Sequence, residues 1–150
     1  MQPASSSFTV LEVRGAGVAG STITIRAWRA GDREAVEGLL KLLSRDAVIA
    51  GDSAPVYVAE TGERVVGMVT LCVFRTLTGL KAHLDHLVVD PGFRRRGIGR
   101  ALVTHALERA EAAGASRIDL TANDSKQAGH SLYRSLGFRE RDTRSFRLYL

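Results

Sequence analysis

The sequence predicts an α/β sandwich, a mixed sheet with helices on its flanks, in the order βαβββαβαβ. Three observations predict it. Short β-branched or alternating segments recur along the chain, with turn residues between them. Segments of helical spacing interrupt them, two ending at Gly114 and Gly137. The 150 residues hold no repeat and no internal linker, so they form one domain.

Residues Met1 to Gly20 are rich in Ser, Gly and Ala and read as a flexible leader before a domain of residues 21–150. Ser21 to Arg29 alternates, with Ile23, Ile25 and Ala27 on one side, and reads as a half-buried strand. Gly31-Asp32 opens a helix, Asp32 as N-cap, with Ala35, Leu39, Leu42 and Leu43 as its apolar face. After the irregular stretch Ala47 to Ala54, Pro55 to Glu60 and Arg64 to Arg75 are strands joined by the turn Thr61-Gly62-Glu63. Lys81 to Val89 is a further strand, closed by Asp90-Pro91-Gly92. Arg95 to Ala113 is the clearest helix: Ile98, Ala101, Leu102, Ala106 and Ala110 recur at its period. A strand over Arg117 to Thr121 follows, then a helix from Asp124 to Ser135 capped by Asp124 or Ser125. Phe138 to Leu150 ends the chain as extended structure.

Composition narrows the function. No stretch reaches the ~18 consecutive apolar residues of a membrane span, and the start lacks the basic and apolar regions of a secretory signal. Cys72 is the sole cysteine and lies in the apolar run Leu71 to Phe74, which predicts a buried, reduced thiol in a cytoplasmic protein. The net charge is +5, and Arg94, Arg95, Arg96 and Arg100 account for most of it. So compact a positive spot suits one small polyanion better than a nucleic-acid backbone, which takes a longer stripe of bases.

That spot lies on a strand–turn–helix segment running from Val88 to Arg100. A helix start offers unpaired N–H groups and partial positive charge, glycines admit a close ligand, and the arginines add charge. A diphosphate is the natural guest. The dinucleotide fingerprint fails, because Leu102 stands where Gly97-Ile98-Gly99 would need its third glycine. A P-loop from Gly92 fails, because Ile98-Gly99 replaces Lys and Ser/Thr.

Arg94-Arg95-Arg96-Gly97-Ile98-Gly99 fits the Arg/Gln-x-x-Gly-x-Gly/Ala signature of the GCN5-related N-acetyltransferase (GNAT) family, and Leu87 to Pro91 resembles its preceding strand and turn. Asn123 to Phe138, ending Leu-Tyr-x-x-Leu-Gly-Phe, resembles the family's second cofactor motif. The resemblance covers about residues 21–150 and implies a mostly antiparallel sheet. It implies that the backbone from Arg95 to Arg100 cradles the pyrophosphate of acetyl-CoA, that Leu87, Val88 and Val89 pair with the pantetheine arm, and that Asn123 contacts that arm or a water. Arg94 and Arg96 belong to the same loop, and no metal is implied.

By the same resemblance Tyr133 is the general acid that protonates the departing thiolate; a phenol near pKa ~10 holds a proton that a thiol near ~8.5 lacks when it leaves. Its Ala four residues before the tyrosine is Gly129 here. An amine acceptor must lose a proton, and His83 and Asp85, two apart on one strand, share a face and are the base candidates, directly or through water. Glu60 is a weaker candidate, His86 is expected on the opposite face, and His130 at the cofactor rim or in solvent. The function expected is acetyl transfer to a primary amine, small or on a protein, by direct attack in a ternary complex; homodimer formation stays open. An acyl-CoA-sensing domain of the same fold, without catalysis, is the alternative.

Overall fold

The computed structural model describes residues 8–15, 18–47, 49–50, 55–123 and 126–150, with backbone alone at 11–15 and 18–21. Six strands, β1 (Thr9–Gly15), β2 (Val18–Ala27), β3 (Val56–Thr61), β4 (Arg64–Thr76), β5 (Gly79–Val89) and β6 (Ile118–Leu120), form one sheet in sequence order. Every neighbouring pair is antiparallel except β5–β6, which is parallel. Among the described residues three α-helices flank the sheet: α1 (Arg33–Leu40), α2 (Ile98–Ala112) and α3 (Gln127–Ser135).

The sheet carries a core on each face. Ile23, Ile25, Val69, Leu71, Ala82 and Leu84 pack with Ile98, Leu102, Val103 and Ala106 of α2, and Leu132 and Leu136 of α3 lean on that cluster. On the other side Val36, Leu39 and Leu40 of α1 meet Val56, Val58, Met68 and Val88. β4 is buried without a break from Val66 to Leu71, as a strand covered on both faces must be. Gly67 lies at its tightest point: a Cβ there would stand 3.1 Å from Leu102 Cδ1 and 3.2 Å from the Val88 carbonyl oxygen.

Several expectations need correction. Residues 9–15 and 18–20, read as leader, form β1 and the start of β2; the β-branched run through Thr9 and Val10 pairs with Ile25 and Thr24. Thr9 also shares a hydrogen bond of 2.8 Å with Nδ1 of His105, a buried α2 histidine set edge-on to Tyr57. No strand follows α3 among the described residues: Phe146, Leu148, Tyr149 and Leu150 are exposed and pair with nothing in the sheet. Cys72 is exposed, not buried, because β4 runs past the layer of helices at Leu71 and its last residues leave the core. α1 buries Val36, Leu39 and Leu40, while Leu42 and Leu43 fall beyond its end and remain accessible. The proposed helix caps Asp124 and Ser125 lie outside the described residues.

The face of β2 opposite Ile23 and Ile25 holds a buried ion cluster at Arg26. All five N–H donors of Arg26 are used. Asp32 accepts two at 2.7 and 3.0 Å, Glu60 two at 2.9 and 3.0 Å, and the Ala27 carbonyl the fifth at 3.1 Å. Asp32 also accepts the Arg29 N–H at 2.7 Å. The cluster fastens the 3-10 turn Ala30–Asp32, and so the start of α1, to β2 and β3. Glu60 is thereby committed to a structural pair.

Candidate active site

β5 and β6 pair only from Ala82 to Leu84. Beyond that point the β6-side edge of β5 is uncovered, and a cleft of about 1160 Å³ opens between β5, the start of α2, and α3. The break comes from a bulge. Ala82 and Leu84 pack on the α2 side, and so do Leu87 and Val89, although 87 lies an odd three positions after 84. An unbroken strand would send Leu87 the other way. The register slips between Met68 and Thr70 of β4, opposite Asp85 and His86, and His86 takes φ +49°, a left-handed conformation rare outside glycine.

One end of the cleft is built from the arginine loop. The helix begins at Ile98, three residues later than its pattern predicts, because Arg95 (φ +60°) and Gly97 (φ +78°) are left-handed. Such alternation turns successive N–H groups inward as an anion-binding concavity, here continuous with the N-terminus of α2. Arg94, Arg95, Gly97, Ile98 and Gly99 line the cleft. Arg94 Nε donates to the Val89 carbonyl at 3.1 Å, which folds the loop onto the strand edge. Arg96 and Arg100 do not line it: Arg96 stacks 5.2 Å over the Phe93 ring, and Arg100 donates to Ser135 Oγ at 2.6 Å. Asp90 caps the turn, accepting the Gly92 N–H and the Arg64 guanidinium at 2.9 Å each.

The middle is the free edge of Leu87, Val88 and Val89, facing Asn123, Gly129 and Leu132. The Asn123 carbonyl accepts a hydrogen bond from His130 Nε2 at 2.9 Å, which ties the loop to α3. The far end gathers Asp85, His86, Tyr133 and Arg147, with Leu42 and Leu43 as an apolar wall. Burial, and then the nearby Asp85 charge, push the Tyr133 phenol above its ordinary pKa, so it is protonated at neutral pH. The residues after it fix its position: Phe138 N–H returns to the Tyr133 carbonyl at 3.0 Å and Gly137 N–H to Arg134 at 3.0 Å, a Schellman stop with Gly137 at φ +92°. The Phe138 ring packs edge-on to Tyr133. That is the physical content of Leu-Gly-Phe at the end of the motif.

Of the residues singled out from sequence, Leu87, Val88, Val89, Arg94, Arg95, Gly97, Ile98, Gly99, Asn123, Tyr133 and Asp85 meet in one cleft; His83, Arg96 and Arg100 are not in its lining. His86, Arg147, Leu42 and Leu43 join it unannounced. Alternation could not place His86 there, since the bulge that turns it leaves no mark in the sequence. A smaller hollow between α1 and the Asp90 turn holds Arg64 and Asp90, which are paired with each other at 2.9 Å.

Residues 23–138 match the model of the Acetyltransferase (GNAT) family. The chain belongs to that family. This GNAT domain is 40% identical over 60 residues to the [ribosomal protein bS18]-alanine N-acetyltransferase of Escherichia coli, covering 40% of each chain. It is 38% identical over 86 residues to human N-acetyltransferase 8, covering 56% of this chain and 38% of that protein. The alignments thus span about two-fifths of the curated relatives. Among solved structures, a putative acetyltransferase from Agrobacterium tumefaciens superposes with a TM-score of 0.74 at 26% identity, covering 84% of this chain and 99% of that one. An aminoglycoside N-acetyltransferase crystallised with CoA shares the GNAT fold at 18% identity, with a TM-score of 0.76 over 87% of this chain and 97% of its own.

Proposed function

We propose that this chain transfers acetyl from acetyl-CoA to a primary amine by direct attack within a ternary complex. The observation that carries the reading is the order of parts along the cleft: an anion-binding loop, then a strand edge that no further strand covers, then a protonated phenol beside a carboxylate. A diphosphate, an amide-bearing arm and a thioester follow one another in the same order in acetyl-CoA. The left-handed Arg95 and Gly97 and the start of α2 hold the diphosphate, with Arg94 and Arg95 adding charge. Leu87 to Val89 and Asn123 receive the arm as an added strand.

The acceptor enters at the Leu42, Leu43 and Asp85 end, as a small amine or a protein amino group. Its neutral nitrogen attacks the thioester carbon, the C–N bond forms and the C–S bond breaks. Tyr133 gives its proton to the sulfur and regains one from the nitrogen. Asp85 draws the acceptor ammonium in and orders the water through which a proton leaves. His83, outside the cleft lining, has no part in the proposal. A sensing domain would need neither a protonated phenol nor a carboxylate at the thioester. The single cysteine permits no internal disulfide, which suits a cytoplasmic setting.

The test is a melting assay followed by a rate assay. Acetyl-CoA at 100 times its Kd adds about 2.7 kcal/mol of stability, worth roughly 5–10 °C at this size. ATP and NAD, which lack the arm, should add little. A panel of primary amines should then release CoA. Equal stabilisation by ATP, or silence across the panel, would refute the proposal.

A further inference from the structure

The bulge in β5 does more than open the cleft; it turns a histidine into it. His86 is held left-handed at φ +49°, where any residue but glycine is strained. The strain is sustained by contacts on both sides. The His86 backbone N–H donates to Asp85 Oδ1 at 2.9 Å, and its ring Nδ1 lies 3.1 Å from Oγ1 of Thr70, a nearly buried β4 residue across the slipped register. Nε2 stands 3.9 Å from Asp85 Oδ2, and the half-exposed ring lines the cleft at the Tyr133 end. A hydroxyl fixes one nitrogen, a carboxylate lies beside the other, and the ring borders the space where the acceptor enters.

We infer that His86 is the general base that takes the proton from the acceptor ammonium, with Thr70 as its positioning residue. The inference rests on the proposed acetyl transfer. Nδ1–H donates to Thr70 Oγ1, which leaves the lone pair on Nε2 facing the cleft. The acceptor R–NH3+ gives one proton to Nε2 and becomes R–NH2, and Asp85 stabilises the imidazolium that results. The amine then attacks. Its second proton replaces the one Tyr133 delivers to sulfur, and His86 returns the first to solvent. Amide, CoA thiol and one released proton balance the step. The charged and titratable groups facing it are Asp85 from β5, Tyr133 from α3 and Arg147 from the C-terminal segment; β4 presents the uncharged Val69 and Thr70, and the end of α1 Leu42 and Leu43.

The experiment measures kcat/KM against pH, with an amine that the wild type acetylates, for His86→Gln, His86→Gly, Thr70→Val and His83→Gln. Melting temperature and acetyl-CoA stabilisation are recorded for each. His86→Gln should lose at least tenfold near pH 7 while binding acetyl-CoA as before, and the deficit should close as pH rises towards the amine's own pKa. His86→Gly removes the ring and relieves the strain, so it should melt at or above the wild type yet lose the same activity. Thr70→Val should keep a base with a displaced pH profile, and His83→Gln should follow the wild type. A His86→Gln profile that parallels the wild type at every pH overturns the inference, as does a His83→Gln variant that loses the acidic limb instead. So does a His86→Gly variant that regains full rate. If the wild type acetylates no amine while binding acetyl-CoA, the proposed transfer itself fails, and the base role with it.

Discussion

Replacing Arg26 with Met should destabilise the protein through the two carboxylates it leaves behind. Arg26 and Asp32 are buried, whereas the Glu60 side chain keeps about a quarter of its exposure (26%). Removing one partner from a buried ionic cluster costs about 3–5 kcal/mol, chiefly because the remaining charge is stranded. Water still reaches Glu60, so the lower end applies, about 3 kcal/mol, or roughly 6–12 °C in Tm for a chain of this size. The pH dependence identifies the cause. In the wild type the guanidinium holds both Asp32 and Glu60 below their ordinary pKa. The fold therefore binds fewer protons than the unfolded chain. Their contribution is fully present above the unfolded values near 4 and drains away as pH falls through that range. With Met at 26 the lowering by the guanidinium is lost and burial pushes the Asp32 pKa up, opposed only by the Arg29 N–H and charge, so acidification costs the variant less than it costs the wild type. Urea denaturation at pH 7 and pH 4.5 should show the gap narrowing. A gap under about 1 kcal/mol at pH 7, or one that stays constant with pH, would refute the reasoning.

Four further variants test the cleft and the core. Tyr133→Phe keeps the ring against Phe138 and removes the proton; kcat should fall about 10- to 1000-fold with acetyl-CoA affinity, read by calorimetry, nearly unchanged. Gly97→Val forces a branched residue into φ +78° within the anion loop and should weaken acetyl-CoA at least tenfold, about 1.4 kcal/mol. A Cβ at Gly99 would meet nothing nearer than Leu132 Cδ2 at 3.6 Å and the backbone there is not left-handed, so any loss of affinity in Gly99→Ala reports contact with the ligand rather than backbone strain, and it separates from Gly97→Val in a melting assay without ligand. Gly67→Ala crowds Leu102 and the Val88 carbonyl and should cost about 1–3 kcal/mol in denaturant titrations without changing the pH profile of activity.

The sequence made legible whatever is encoded within one element or one turn. The α2 periodicity, the Asp90-Pro91-Gly92 turn and the glycine stops at 114 and 137 all depend on neighbours a few residues away. Features set across the sheet were not legible. The Arg26 cluster was not legible because its partners are 6 and 34 residues distant. Cys72 looked buried because an apolar run does not reveal where the helical cover stops. The bulge at His86 defeated strict alternation, which had sent His86 to the face opposite His83 and Asp85. Strand β1 was hidden in a Ser- and Gly-rich stretch whose pairing partner, not its composition, makes it a strand. The apolar end of the chain looked like a strand, yet no neighbour in the sheet pairs with it.

The parallel seam between β5 and β6 is three residue pairs long, whereas β4 and β5 are matched along most of their length. A protein opens first where fewest bonds must break. The segment from β6 through α3 is therefore expected to open before the antiparallel body of the sheet, and its amides should exchange with deuterium well before those of β3 and β4. Tyr133 is carried on that segment. The cleft thus has one wall in the long antiparallel pairing of the sheet and one attached through a short seam, so opening of that seam should also carry the phenol away from the strand edge.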